Sequence, residues 1–257
     1  MKKLPYYSQY FNTAEFDSIY YEKYYSKMGQ KTFEGMVNST PDNFQFSVKI
    51  PETVTRQKKI SVGDGAFSAF EEFLQRISPL KKAKKLGAIL FQMSPNFTVD
   101  DFKNAESFLG KLPRGYDYAL EFRHASWQTE GALELLKHYN IASVMTDSPD
   151  PKLQFLAQPI VTADHVFIRF HGRNIKFWYN YLYSKQELEP WVKKVNEIMK
   201  QTRILRAYYN NHPMGQAVIN ALQFKEMLGT ISEQEHKALE KAVAYLSGKS
   251  GIEKWVH

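Results

Sequence analysis

The sequence predicts an α/β fold of TIM-barrel-like type, on three observations. Short runs rich in β-forming residues alternate with longer segments of helical period. Those runs carry charges on one parity and apolar side chains on the other. At 257 residues, the chain has the length of one such barrel.

Seven strands read in order: 12–17 (NTAEFD), 44–50 (FQFSVKI), 86–93 (LGAILFQM), 118–123 (YALEFR), 141–147 (IASVMTD), 166–171 (VFIRFH) and 203–211 (RILRAYYNN). Helices with their own start signals lie between them. Over 64–77, Asp64 is the expected cap, and Phe67, Phe70, Phe73, Leu74 and Ile77 recur at three and four residues as one buried stripe. Thr129 or Ser126 caps the helix of Leu133, Leu135 and Leu136. Ser184 with Glu187 is a capping box opening the helix through Trp191, Val195 and Ile198, and Pro213 suits a first helical position. Strand then helix, repeated, calls for right-handed crossovers and a parallel sheet covered by helices. Residues 1–228 are expected to form the barrel domain and 229–257 a C-terminal helical tail, with a helical pattern from Ile231 to Leu246.

The choice between an open sheet and a barrel rests on what the strands carry. Both faces of a doubly wound sheet meet helices and read as uniformly apolar. Here Glu15 and Asp17, Ser47 and Lys49, Glu121 and Arg123, Ser143 and Asp147, and Arg169 and His171 share one parity. Phe16, Val48, Phe122, Val144, Ile168 and Phe170 take the other. A charged strand face in a parallel sheet is explained if it looks into a barrel mouth, and the charges lie toward the strand ends where barrel enzymes place their chemistry.

Composition narrows the chemistry. With no cysteine, the chain has no disulfide scaffold, thiolate metal site or cysteine nucleophile. No apolar run approaches the roughly 20 residues of a membrane span, so a soluble, cytoplasmic protein without membrane association is expected. Lys plus Arg outnumber Asp plus Glu by 34 to 27, and aromatic residues reach 15%. Such a chain suits phosphate contacts and base stacking, and equally an aromatic core with solvated lysines.

The inward set holds four carboxylates (Glu15, Asp17, Glu121, Asp147), three permanent cations (Lys49, Arg123, Arg169), His171 and Gln92. Charges buried together must pair, so a network across strands is expected. Its functional reading is a site for a phosphorylated or other anionic ligand. Glu15, Glu121, Asp147 and His171 are the catalytic candidates. Lys49, Arg123 and Arg169 are candidates for holding the anion, and Asp17 and Gln92 line the same face. Loop residues His124, Trp127, Asn210, Asn211 and His212 extend the binding set, each with a plain alternative as a cap, packing anchor or turn former. No cofactor is expected, since neither a Gly-x-Gly-x-x-Gly nor a phosphate-loop pattern occurs. A divalent metal is the alternative, with Glu15, Glu121, Asp147, His171 and His212 as oxygen and imidazole ligands. The neighbouring Arg and Lys oppose it.

Among basic segments, Lys81, Lys82, Lys84 and Lys85 are expected at the opposite end as a solvated run. Arg56, Lys58, Lys59, Arg173 and Lys176 lie in loops after strands, with the aromatic loop 177–183 (FWYNYLY).

At these residues the chain resembles the family called domain of unknown function 72, the YecE-like proteins. The matching stretches are 7–18 (YSQYFNTAEFDS), 41–49 (PDNFQFSVK), 86–97 (LGAILFQMSPNF), 121–127 (EFRHASW), 169–172 (RFHG), 183–188 (YSKQEL) and 209–212 (YNNH), spread over about residues 4–228 in the family's order. The resemblance implies a TIM-barrel-like fold with the inward polar residues forming a pocket, and no particular reaction. It also implies a Gly-Thr-Ser-Gly-Trp-like first strand that is not found here: either Met1 is not the true start, the strand is replaced by the tail or a partner chain, or this variant has seven strands. Asp17 stands where the family more often has Asn.

The leading functional expectation is an enzyme using acid–base chemistry, such as hydrolysis, on an anionic substrate. The alternatives are a nucleic-acid-binding or nuclease- or repair-like protein, and a non-catalytic interaction protein. The oligomeric state is left open.

Overall fold

All seven expected strand segments form strands in the computed structural model, which describes residues 3–248. After a short helix α1 (Lys3–Tyr7) come β1 (Thr13–Phe16), α2 (Glu22–Tyr25), α3 (Gln30–Asn38) and β2 (Gln45–Lys49). Next are α4 (Ala66–Arg76), α5 (Ser78–Lys82), β3 (Leu86–Gln92), α6 (Phe102–Leu109), β4 (Asp117–Glu121) and α7 (Glu130–His138). The expected strand 141–147 is broken at Val144 into β5 (Ile141–Ser143) and β6 (Met145–Asp147). Then follow β7 (His165–Phe170), α8 (Lys185–Ile198), β8 (Ile204–Tyr209), α9 (Gln216–Met227) and α10 (Glu233–Leu246).

Strands β1 to β5 make one sheet in sequence order, every pair parallel, and β6, β7 and β8 make a second. The expected barrel closure is not part of this pairing. The described residues fall into two compact units, those within Met1–Met145, Ile160–Phe167 and Thr202–Arg206, and those within Thr146–Pro159, Ile168–Gln201 and Ala207–His257. The expected boundary at residue 228 does not coincide with this division.

The first unit holds a core in which the apolar parity of the strands meets the helices. Phe46 and Val48 of β2, Ile89 and Phe91 of β3 and Leu120 of β4 are buried there with Phe70 and Phe73 of α4 and Phe108 of α6. The expected α4 stripe is present, but Asp64 does not cap it: Gly65 does so in a left-handed conformation (φ 75°). Thr129 caps α7 by accepting from the Ala132 amide. The lysine run is only partly solvated. Lys85 is buried and donates to the Val37 and Thr40 carbonyls at 2.8 and 2.7 Å, a cation at the C-terminal end of α3. The second unit has an aromatic core of Phe170, Tyr183, Trp191, Tyr209 and Phe224, with Phe170 stacked on Tyr209 at 4.4 Å. The expected start signal of α8 is a complete capping box, Ser184 with Glu187, and α10 opens with a second one, Ser232 with Glu235, that was not among the expected signals. Pro213 opens a short 3-10 turn before α9.

Polar groups at the N-terminal ends of the strands form a network within the first unit. Arg206 reaches Asp117 (3.0 Å) and Gln45 (2.9 Å), and Arg203 reaches Asp117 (2.8 Å) and Asp164 (3.1 Å). His165 is buried, with one ring nitrogen 2.9 Å from the Tyr118 carbonyl and the other 3.1 Å from Asp164. Asp117, Asp164 and His165 bring ligand-type atoms within 4.8 Å of one another. Their carboxylates are already engaged by the two guanidiniums, which is the behaviour of a structural ion cluster.

One register shift explains a glycine. Between Phe46↔Leu86 and Val48↔Ile89, β3 has one residue more than β2, and the Ala88 amide is met by Ser47 Oγ at 2.9 Å instead of a carbonyl. A Cβ at Gly87 would lie 2.7 Å from that same oxygen and 3.2 Å from the Ser47 amide. Gly87→Ala should therefore cost about 1–3 kcal/mol, read as a lower urea midpoint with unchanged slope. A wild-type midpoint would show that the bulge relaxes freely.

The Asn140 amide, the His165 ring and Arg203 hold the Asp164 carboxyl below the usual carboxylate range. A depressed folded pKa contributes stability above the unfolded value of about 4, lost as pH falls through the folded one. Asp164→Asn should thus be less stable than wild type at pH 7, with the gap narrowing below about pH 4. A pH-independent gap in denaturation midpoints would contradict this.

Candidate functional site

Buried ionisable groups at the C-terminal ends of the strands fall into two sets, one in each unit. In the first unit, β3 and β4 pair Gln92 with Glu121 in register. Glu121 is 0% exposed, and its Oε1 accepts from Gln92 Nε2 at 2.8 Å. Arg123 Nε lies 3.5 Å from the same oxygen, too long for a hydrogen bond, and is itself buried with no hydrogen-bond partner. Lys49 ends β2, 7% exposed, with its ammonium 3.7 Å above the Tyr20 ring. That cation–π contact balances part of the desolvation of the charge. Glu15 on β1 is half-buried and opposite Ser47.

Other expected residues of this unit are placed differently. Asp17 is exposed and follows β1 into a 3-10 turn. His124 caps the next turn, its Nδ1 accepting from the Ser126 amide at 3.2 Å. Trp127 is buried, donates to the Phe97 carbonyl at 2.9 Å and stacks on Phe122 at 4.0 Å. These contacts match the cap and packing alternatives for His124 and Trp127.

In the second unit, Asp147 at the end of β6 is the centre. It is 6% exposed and its carboxylate accepts four hydrogen bonds. Arg173 grips it with both Nε (2.9 Å) and Nη2 (2.7 Å), Tyr183 donates at 2.8 Å and Trp191 Nε1 at 2.9 Å. Two oxygens offer about four lone-pair sites, so this carboxylate is saturated. The bond to Asp147 holds the Arg173 guanidinium above its ordinary pKa. Burial, then the Asp147 charge, pushes the Tyr183 phenol well up. Behind Arg173, Glu187 Oε1 accepts from Tyr181 and from Arg173 Nη1 (3.3 Å). Burial and this contact push Tyr181 up to about 12. Burial works against the Glu187 charge, but hydrogen bonds from Tyr181 and Ser184 outweigh it and lower its pKa.

Arg169 on β7 and His171 just after it are both buried, and the His171 amide donates to the Asp147 carbonyl at 2.9 Å. Asn210 Nδ2 lies 3.1 Å from His171 Nδ1. Asn211 is buried and donates to the Tyr181 carbonyl (2.7 Å) and to Asn220 (2.8 Å). These bonds tie off the loop after β8, while His212 is exposed. The holders of Asp147 went unrecognised in the sequence: Arg173 reads as a loop cation, Tyr183 as part of an aromatic run and Trp191 as helix core.

The model of the family described as "Protein of unknown function DUF72" matches residues 1–243. The chain belongs to the DUF72 family. The Bacillus subtilis protein YunF, of the group UPF0759, is 29% identical over 252 residues, covering 88% of this chain and 86% of that protein. The Escherichia coli K12 protein YecE is 32% identical over 95 residues, 37% of this chain and 33% of that protein. Among solved structures, a DUF72 protein of Thermotoga maritima superposes with TM-score 0.71 at 32% identity over 85% of each chain. One from Enterococcus faecalis V583 superposes with TM-score 0.73 at 25% identity over 90% of each chain. The DUF72 resemblance in the sequence is thereby confirmed, and the family carries no stated activity. Among the described residues of this DUF72 protein, no helix is long and apolar enough to cross a membrane.

Tyr183 joins two parts of the second unit: its hydroxyl donates to Asp147 and accepts from the Gly172 amide at 2.8 Å. Tyr183→Phe leaves that amide without a partner and should cost about 1–3 kcal/mol. Chemical denaturation reads the loss, and an unchanged midpoint would show that the network does not depend on this hydroxyl.

Proposed function

We propose that this DUF72 protein is a TIM-barrel-like enzyme that acts on a phosphorylated or other anionic substrate by acid–base chemistry, with Glu121 as the proton-transferring group. The observation that carries this reading is the fully buried Glu121 carboxylate at the end of β4, held by Gln92 beside Arg123. Removing a carboxylate from water costs several kcal/mol, which an apolar side chain in a simple core would avoid. Buried ionisable groups at the C-terminal ends of strands are where barrel enzymes commonly place their chemistry.

Within the first unit, Lys49 and Arg123 supply the charge that holds the anion, and Glu15 is a second proton-transfer candidate. In the second unit, Arg169 is assigned to anion binding and His171 to proton transfer on the same chemical grounds. Asp147 fits a holding role, since its four lone-pair sites are engaged. Hydrolysis is the simplest reaction this set would run.

The test is a screen of phosphomonoesters and other anionic esters with purified protein, followed by variants. Glu121→Gln should lower turnover by about 10²–10⁴ while substrate still binds, the range for loss of a general acid or base. Lys49→Met should weaken substrate binding more than it slows turnover. Unchanged kinetics in Glu121→Gln would sink the assignment.

A second reading, nucleic-acid binding, is favoured by the exposed tyrosines of the first unit. Tyr21 and Tyr24 are exposed, Lys23 lies over the Tyr24 ring at 4.8 Å, and Arg56 is close by in sequence to the basic residues Lys58 and Lys59. Binding of a labelled single-stranded oligonucleotide should then fall steeply with salt. A flat salt response, or none of the binding, removes this reading.

A further inference from the structure

A cavity of about 440 Å³ opens beside Asp147, wholly within the second unit. That volume lies in the range of small-molecule sites. Its polar wall is Asp147, Ser148, Gln154 and Arg173, and its apolar wall Pro149, Ala157 and Ile175. Ile175 is 86% exposed, so an apolar side chain is held at the cavity edge without being needed by the core.

The spare hydrogen-bonding capacity of this wall is strongly one-sided. Arg173 has five N–H groups and uses three, two on Asp147 and one on Glu187, which leaves two. Ser148 Oγ accepts from the Asp150 amide at 3.2 Å and keeps its own O–H to give. Gln154 Nε2 spends one N–H on the Ser148 carbonyl at 2.9 Å and retains the other, together with its carbonyl oxygen. Asp147, by contrast, has no lone pair left to offer. The wall therefore gives hydrogen bonds and accepts few.

Charge counts against an anion here. Two carboxylates, Asp147 and Glu187, share the Arg173 guanidinium. Lys194, which donates to the Ala157 carbonyl at 2.7 Å, brings the local sum to zero. A ligand chosen by such a wall needs acceptor oxygens, no net charge and an apolar face.

We propose that this cavity is a binding site for a small uncharged ligand bearing carbonyl oxygens of amide or lactam type, seated with its acceptors on Arg173, Ser148 and Gln154 and its apolar face on Ile175. Sugars fit less well, because their hydroxyls must also donate and Asp147 is saturated. The site does not depend on Glu121, which belongs to the other unit, so the two assignments stand or fall separately.

Saturation-transfer NMR on the full chain tests this with the acceptor-only amide and lactam N,N-dimethylacetamide and N-methylpyrrolidone as probes and with glucose and inorganic phosphate as competitors. Gln154 and Ile175 are exposed, so Gln154→Leu and Ile175→Asp should leave the fold intact, as circular dichroism checks. Both carbonyl probes should bind the wild type, and each substitution should weaken them about tenfold. Neither glucose nor phosphate should displace them. The proposal is overturned if neither probe binds, if either competitor displaces them, or if both substitutions leave binding unchanged. Phosphate bound without displacing the probes would report on the Glu121 reading and leave this site supported.

Discussion

A charge moved out of water must be paired where it comes to rest, and that requirement organises much of this protein. The strands place Lys49, Glu121, Asp147, Arg169, His171 and Arg206 in buried positions, a costly set unless each is engaged. The engagement takes different forms. Asp117, Asp164, Arg203 and Arg206 neutralise one another at the N-terminal ends of the strands, so that chemistry is closed. Asp147 is closed too, by four donors contributed from the loop after β7 and from α8. Glu121 is held in another way, with Gln92 donating to its Oε1 and the Arg123 guanidinium 3.5 Å away.

The same requirement accounts for local details that propensity alone leaves unexplained. Ser47 Oγ takes the Ala88 amide where β3 bulges, and Gly87 is needed because a methyl group would strike that oxygen. Gly172, at φ 85°, lets the chain turn out of β7 toward Arg173, and a Cβ there would strike the Trp178 carbonyl. Lys85 leaves solvent to cap α3. In each case a buried polar group or a close backbone approach selects the residue.

The alternation of charged and apolar residues was legible in the sequence because strand parity is local, and it located the buried positions of Lys49, Glu121, Asp147, Arg169 and His171. The capping box of α8 was legible for the same reason, being contained in four residues, and that of α10 has the same four-residue form but was not read. The break at Val144 was not legible, since a continuous strand-like alternation over 141–147 gives no sign that its halves join different sheets. Nor were the partners of the buried charges. Asp117 with Arg206 and Asp147 with Trp191 are separated by 89 and 44 residues, and no local pattern links them. Arg206 did carry a usable signal: it is a cation inside a strand on the same parity as Asn210. His124 and Trp127 turned out to have the cap and packing contacts that their short-range context allowed.

The central claim is that the Glu121 end of the first sheet receives an anion. The most direct measurement is a crystal structure of the purified protein grown with tungstate, whose anomalous signal locates a phosphate-like anion without ambiguity. The account predicts a peak within hydrogen-bonding distance of Lys49 Nζ or the Arg123 guanidinium. Saturated anion sites elsewhere, with none at those two side chains, would contradict it.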